Sequence, residues 1–497
     1  MPSEIPARLP IIIQGGMGVG VSSWQLARTV SQAGQLGVVS GTALDTVLAR
    51  RLQDGDPDGV AREALDHCPV PELAKRVLDQ WFTPGGRDGR PYRPAPRLGL
   101  RGTAAGVDLA VAGAFTEVWL AKQGHPGVVG INLLEKIQMA TPAAAYGAML
   151  AGVDYVLMGA GIPRHLPAML TALARHEPGG VWVDVAGGDP HWLALDPPAV
   201  TGGTRPDVRR PNFLAIVSGH VLAAYLHREE TTRPDGYVVE GPTAGGHNAP
   251  PRGRMQLDPS GQPVYGPKDG VDLERMAALG LPFWLAGGYG EPERVQEALA
   301  AGAAGVQVGT LFALADESGL LPHLRAELLT RLRAGTLDVR TEPSASPKGF
   351  PFKVAQLPGT LSDTEVYEAR PRLCDLGYLR TPYAREGGAV GYRCPAEPVD
   401  VYVRKGGTAE RAAGAACLCN ALTADIGIGQ HRKDGYAEAT LVTLGADLAG
   451  ALRLALRLSP DAGPSPDAGP SAAAASASAS ASGWSARQAV AWLLGED

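Results

Sequence analysis

The sequence predicts an α/β fold, a (β/α)8 TIM barrel with a helical insertion after strand 2 and a cysteine-bearing C-terminal extension. Three observations carry this. Eight short apolar runs, rich in β-branched residues and most of them ending at glycine, are each followed by a helical pattern. The runs are continuous rather than alternating, which marks strands of a parallel sheet covered on both faces. Eight is also the number that closes such a barrel.

In chain order the runs are "PIIIQGG" (10–16), "LGVVSG" (36–41), "VVGINLL" (128–134) and "YVLMGAG" (155–161), then "FLAIVSG" (213–219), "YVVEG" (237–241), "FWLAGG" (283–288) and "GVQVGT" (305–310). A ninth run, "VWVDVAGG" (181–188), is assigned to an insertion, because the stretch after it lacks a helical period. The gap from 42 to 127 exceeds one crossover helix. "DTVLARRLQ" and "PELAKRVLDQW" read as extra helices, and "VDLAVAGAFTEVWLAKQG" as the regular second helix. The expected division is a barrel over 1–335 with insertions near 45–105 and 178–211, then an extension over 336–458. A repeated Ala/Ser/Pro linker follows over 459–483, of a composition expected to be disordered. A short terminal helix over 484–497 is expected to dock weakly or not at all.

Composition narrows the class. The chain has 497 residues, 65 of them glycine, and 45% hydrophobic content, as suits a large core with many tight strand-to-loop turns. The net charge is -6, and no basic stripe alternates with aromatics, so nucleic acid is not an expected partner. No run of about 18 apolar residues suggests a membrane span. The N-terminus shows no apolar leader before the first strand. Five cysteines in a chain of this length argue against a disulfide framework and fit a reducing cytoplasm. A homo-oligomer is left open.

In a TIM barrel the active site lies at the carboxyl ends of the strands. The motifs "QGGMG", "GINLL", "GAG", "SGH", "EGPTAGGH", "AGGYG" and "QVGT" all fall there. Glycines on such a rim let backbone N–H groups approach a ligand closely. The loops after strands seven and eight commonly hold phosphate in such barrels. Here Gly287 and Gly288 would offer amides on one side, with Gly309 and the hydroxyl and amide of Thr310 on the other. A phosphate handle on a glycine-lined rim suggests a mononucleotide cofactor, of which FMN is the usual one.

Taken in order, "PIIIQGGMG", "GINLL", "GAGIP", "GPTAGGH", "AGGYG" and "GVQVGT" resemble the motifs of the nitronate monooxygenase (2-nitropropane dioxygenase-like) family, related to flavin-dependent enoyl reductases. The resemblance spans roughly residues 8–325. It implies an FMN-binding barrel that oxidises alkyl nitronates with O2. The cofactor contacts would come from Gly16, Met17, Asn132, Gly161, Ser218, Glu240, Gly245, Gly246, Gly287, Gly288, Gln307, Gly309 and Thr310. His247 matches the family's active-site histidine. It follows two glycines on a strand-end loop, and an imidazole there can move a proton at carbon beside a nitro group or stabilise an anion. His220 and His191 are weaker candidates, and Arg252 is a candidate contact for an anionic substrate.

Two features depart from the family pattern. Many members carry Gln where Glu240 stands and Glu where Thr243 stands, and Glu240 looks more like the enoyl reductase branch. "SASPKGFPFKV" (344–354) resembles reductases of polyketide and polyunsaturated fatty-acid synthesis. The alternatives are therefore an NAD(P)H-dependent enoyl-thioester reductase and a non-catalytic FMN-binding component of a biosynthetic complex. Cys374, Cys394, Cys417 and Cys419 share the extension. Four thiolates suit zinc, but one C-x-C and two isolated cysteines do not make the usual C-x2-C pairs. Buried, reduced thiols and no metal are the expectation.

Overall fold

The computed structural model describes residues 9–458 and 483–496. Its strands, numbered in chain order, are β1 (Ile12–Gln14), β2 (Gly37–Ser40), β3 (Val129–Leu134), β4 (Tyr155–Gly159), β5 (Gly179–Val183), β6 (His191–Leu195) and β7 (Asn212–Val217). Then come β8 (Gly236–Glu240), β9 (Phe283–Ala286), β10 (Gly305–Val308), β11 (Val339–Glu342), β12 (Phe352–Ala355), β13 (Thr381–Ala384) and β14 (Val390–Arg393). Eight of them form one parallel sheet in the order β1-β10-β9-β8-β7-β4-β3-β2. The seam between β1 and β2 closes through the parallel bridge Ile13–Leu36, with Gln14 N donating to Leu36 O and Leu36 N to Ile12 O. The eight apolar runs are these eight strands. The ninth run became β5, which pairs antiparallel with β6 in a hairpin outside the barrel.

Burial on both faces explains why the strands read as continuous apolar runs. Ile13, Val38, Leu157, Leu214, Val238 and Trp284 fill the barrel interior. Their neighbours Ile12, Val39, Val156, Phe213, Val239 and Leu285 pack outward under the helices. Trp284 satisfies its indole N–H on Pro10 O at 2.8 Å.

Helices Leu44–Gln53, Val60–Asp66 and Pro71–Trp81 pack with helix Ala104–Lys122 between β2 and β3. The last of these is the one helix, among the described residues, long and apolar enough to cross a membrane, yet 78% of its apolar window is buried inside the protein. Glycines allow that burial: a methyl on Gly113 would lie 2.3 Å from Leu44 O, and one on Gly147 would lie 2.1 Å from Val111 O.

The chain after the barrel folds back across the strand ends. Strand β12, helix Leu418–Ala424 and helix Ala449–Arg457 contribute lining there, while hairpin β13–β14 bridges through Tyr383 to Ala186, after β5. The predicted linker lies outside the described residues apart from Gly483. The terminal helix corrects the expectation of weak docking. Helix Ala486–Leu494 packs on helices Trp24–Gln32, Pro292–Ala300 and Thr310–Ala313. Trp484 is 1% exposed and donates its indole N–H to Leu311 O at 2.8 Å, while Trp492 donates to Gly290 O at 2.9 Å. Two tryptophans whose polar ends both find partners convert a short helix into a docked one.

Candidate active site

The carboxyl ends of the strands open into a cleft with about 1600 Å3 of free space counted out to solvent. On the β1 side, the Ser22 hydroxyl accepts from Met17 N (2.9 Å) and donates to Gly15 O (2.8 Å), and Gln14 Nε2 donates to the same hydroxyl (2.8 Å). This fixes the loop that carries Gly16 and Met17 into the cleft. A side chain at Gly16 would meet Asn132 Cβ at 2.2 Å, so glycine is required for Asn132 to stand where it does. Asn132 Oδ1, like Gln307 Oε1, is buried without a hydrogen-bond partner. Buried polar atoms are nearly always paired, and these two line the cleft with their oxygens free to accept.

At the other end stand Gly287 and Gly288, both left-handed with φ +88° and +83°, and Gly309 and Thr310 after β10. The extension completes this end. Gly445 N donates to Thr310 Oγ1 at 3.0 Å, and Gly450 and Ala451, in the first turn of helix Ala449–Arg457, line the cleft. A methyl on Gly450 would lie 2.1 Å from Gly290 O, so the helix N-terminus approaches the barrel loop backbone to backbone. Among the described residues no Lys or Arg lines the cleft; of its two carboxylates, Glu240 and Asp447, the second stands beside Gly288 with its Oδ1 accepting from Ala449 N at 3.1 Å.

His247 sits on the loop after β8. Its Nε2 lies 2.7 Å from Ser346 Oγ, and its ring meets Phe352 edge-on at 4.8 Å between centroids. Strand β12 clamps this loop through Lys353 N to Gly246 O and a bridge between His247 and Phe352. From the other side Gly246 N donates to Thr443 Oγ1, and Ala446 N to Thr243 O. Burial, seconded by the positive charge of Lys136, holds the imidazole well below the usual histidine range, so it is neutral. Burial also pushes Glu240 up to about 7, against the pull of Lys136 and Lys353, and Lys136 down to about 7. Lys136 Nζ donates to Ala160 O at 2.6 Å and lies 3.7 Å from the centre of the Phe350 ring.

Of the fourteen residues singled out from sequence, Gly16, Met17, Asn132, Glu240, Gly245, Gly246, His247, Gly287, Gly288, Gln307, Gly309 and Thr310 line the cleft. Gly161 and Ser218 do not. Ala160 takes a left-handed turn (φ +60°) right after β4 and carries Gly161 onto Glu135, leaving Gly159 and Ala160 on the wall. Ile216 fills the rim at the end of β7, while Ser218 beyond it accepts from Arg252 Nη2 at 3.3 Å. Arg252 itself is tied to Lys268 O and, through its backbone N–H, to Asp269, away from the cleft. His191 and His220 are also outside the lining.

The sequence reading missed the roof. Phe352, Tyr378, Leu418, Cys419, Thr443 and Leu444 all face the cleft, and none follows a barrel strand. The one available signal was "SASPKGFPFKV", which holds Ser346, Phe350, Phe352 and Lys353 together.

The family model described as nitronate monooxygenase matches residues 212–344, from β7 through β11. No curated protein matches the chain. Among solved structures, nitroalkane oxidase from Streptomyces ansochromogenes is 18% identical, with 90% of this chain and 93% of that one covered and a TM-score of 0.39. FabK from Thermotoga maritima is 17% identical over 71% of this chain and 72% of that one, with a TM-score of 0.36. The enoyl reductase domain of MlnA, from the macrolactin biosynthesis cluster of Bacillus amyloliquefaciens, is 14% identical over 72% and 66%, with a TM-score of 0.39. The matched span contains four barrel strands and the His247 loop, and over that span the chain is similar to the nitronate monooxygenase family.

Proposed function

We propose that the cleft holds FMN and that the enzyme oxidises alkyl nitronates, with O2 as the final electron acceptor. The observation that carries this reading is a neutral His247, anchored by Ser346, in a cleft whose wall bears the unpartnered Asn132 Oδ1 and Gln307 Oε1. The residues present fit the cofactor. The two orphaned oxygens suit N–H donors on a planar polar ring, and the amides of Gly287, Gly288, Gly309, Gly450 and Ala451 suit a phosphate without a cationic side chain. When bound, FMN supplies the redox chemistry.

The chain's own residues do the rest. Ser346 holds the ring of His247 by Nε2, and Phe352 fixes its tilt. A neutral imidazole would accept a proton from the carbon of a nitroalkane to give the nitronate. A substrate that arrives as the nitronate has already lost that proton and takes from His247 electrostatic stabilisation of its negative charge. An anionic nitronate entering beside it favours the charged forms of both His247 and Lys136, because an opposite charge raises the pKa of each. The roof from Tyr378, Leu418 and Leu444 keeps bulk water from the reacting carbon.

A second reading, an NAD(P)H-dependent enoyl-thioester reductase, is favoured by Glu240. With its carboxyl raised to about 7 it is half protonated near neutrality, so it can give a proton to the carbon beside a thioester carbonyl. The third reading from sequence, a non-catalytic component, is disfavoured by the similarity of residues 212–344 to nitronate monooxygenase. One comparison decides between the first two: oxygen uptake on propionate-3-nitronate against NADPH consumption on an enoyl thioester, using protein with a yellow FMN spectrum. Nitronate turnover without a nicotinamide cofactor is the expected result. NADPH oxidation seen only with the enoyl substrate overturns it in favour of the second reading.

A further inference from the structure

The cleft has an apolar end. The segments after β1 and β2 bring Val19 and Thr42 to it, and the extension closes over them with Tyr378, Leu379, Leu418 and Leu422. Two contacts fix that closure. Ile426, just beyond helix Leu418–Ala424, lies against the residue after Val19: a methyl on Gly20 would stand 2.8 Å from Ile426 Cδ1. The Tyr378 hydroxyl donates to Asp45 Oδ1 at 2.5 Å and lies 2.6 Å from Thr46 Oγ1, both in the first turn of helix Leu44–Gln53 and close behind Thr42.

These residues offer the cleft hydrocarbon. Val19, Tyr378, Leu379 and Leu418 are buried, and the Tyr378 hydroxyl is engaged by Asp45, which leaves its ring carbons for the cleft. The two carboxylates of the lining stand elsewhere, Glu240 at the end of β8 and Asp447 beside Gly288. A charged group brought to the apolar end would lose its hydration without finding a partner. A methylene brought there gains by leaving water.

This end also adjoins the chemistry. Ser346, which holds His247, accepts from Lys348 N at 3.3 Å, and Lys348 Nζ donates to Arg380 O at 3.5 Å, next to Leu379. One short segment thus joins the residue behind His247 to those that wall the apolar end. Leu379, Leu418 and Cys419 form its back, because they also line a second, smaller void with Cys374, Cys394, Cys417 and Glu397.

We propose that the apolar end binds a hydrocarbon chain, so that the preferred substrates are nitronates with an alkyl tail of several carbons, and that Leu418 and Leu422 set its length. That the tail belongs to a nitronate rests on the function proposed above; that the site takes hydrocarbon does not.

Two series on the full-length protein test this. One is turnover of the nitronates of nitroethane, 1-nitrobutane and 1-nitrohexane by the flavin-loaded enzyme; the other is calorimetric binding of 1-butanol, 1-hexanol and 1-octanol. Both kcat/KM and alkanol affinity should rise about fourfold per added methylene until the site is filled. Leu422→Trp, which fills the site, should flatten both series. Leu418→Ala, which opens it onto the second void, should move the levelling-off to a longer chain. Nitronates that react at a rate independent of chain length overturn the proposal and leave the nitronate reading intact. Alkanol affinity that rises with length and flattens in Leu422→Trp, with no nitronate turned over, supports the site and overturns the nitronate reading instead. Flat alkanol binding without nitronate turnover, or a rise that neither substitution alters, overturns the site.

Discussion

The barrel rim and the C-terminal extension face each other across the cleft and contribute opposite things. The rim offers backbone: Gly16, Gly245, Gly287, Gly288 and Gly309 expose amides and keep side chains out of the way. The extension offers side chains and clamps: Ser346 on His247, Phe352 against its ring, Thr443 on the Gly246 amide. A glycine loop left alone would have many conformations, because glycine resists none of them. The rim thus provides the room for a ligand, and the extension provides the order in the residues that would act on it.

Four substitutions probe that division, starting with the largest effect. His247→Ala should lower kcat on a nitronate by about 10²–10³-fold while flavin remains bound, as expected for loss of a group that stabilises the anion. Full activity in steady-state assays of a flavin-loaded variant would remove His247 from the chemistry. Phe352→Ala strikes the roof. A fully buried aromatic lost from β12 should cost about 3–5 kcal/mol in urea unfolding, and flavin fluorescence should show weaker cofactor retention. Unchanged stability would make the extension an accessory to the cleft rather than part of it.

Ser346→Ala removes only the clamp on Nε2. A hydrogen bond worth about 1 kcal/mol predicts a loss in kcat of roughly five- to tenfold, with KM little changed. An equal loss in KM instead would assign Ser346 to substrate binding. The smallest effect is reserved for Glu240→Gln. Glu240 is raised from 4.5 to about 7, so the fold favours its neutral form. Its contribution to stability is complete below pH 4.5 and is lost as pH rises through 7. Thermal unfolding of the flavin-free protein across that window should therefore fall less steeply in the variant than in the parent. Parallel curves would show that Glu240 ionises freely, and would weaken the reductase reading with it.

Much of the barrel half was legible because its signals are local. Most of the strands are continuous apolar runs closed by a nearby glycine, and the active-site end of a parallel barrel follows from topology alone. The two misses on the rim, Gly161 and Ser218, share one cause. Both lie just past a strand end, where a left-handed turn at Ala160 or the reach of Ile216 decides which neighbour faces inward. No periodic pattern encodes that choice.

The extension was illegible for a different reason. Its hairpins are four residues per strand, its helices are short, and its cysteines have no regular spacing. Their meaning lies in contacts at long sequence separation, such as Ser346 with His247 and Tyr378 with Asp45 and Thr46. The terminal helix is a similar case: its apolar face was visible, but its partner, the groove beside helix Pro292–Ala300, was not.

By itself, then, the sequence determined the barrel, the strand order's active-site face, the glycine rim and the histidine on the loop after β8, since burial on two faces and backbone freedom are written residue by residue. Only the tertiary structure decided that the extension roofs that rim, holds His247 neutral against Ser346 and gathers four scattered cysteines around one void. Desolvation and convergence are properties of what packs against a residue, and a chain discloses them only when its distant segments meet.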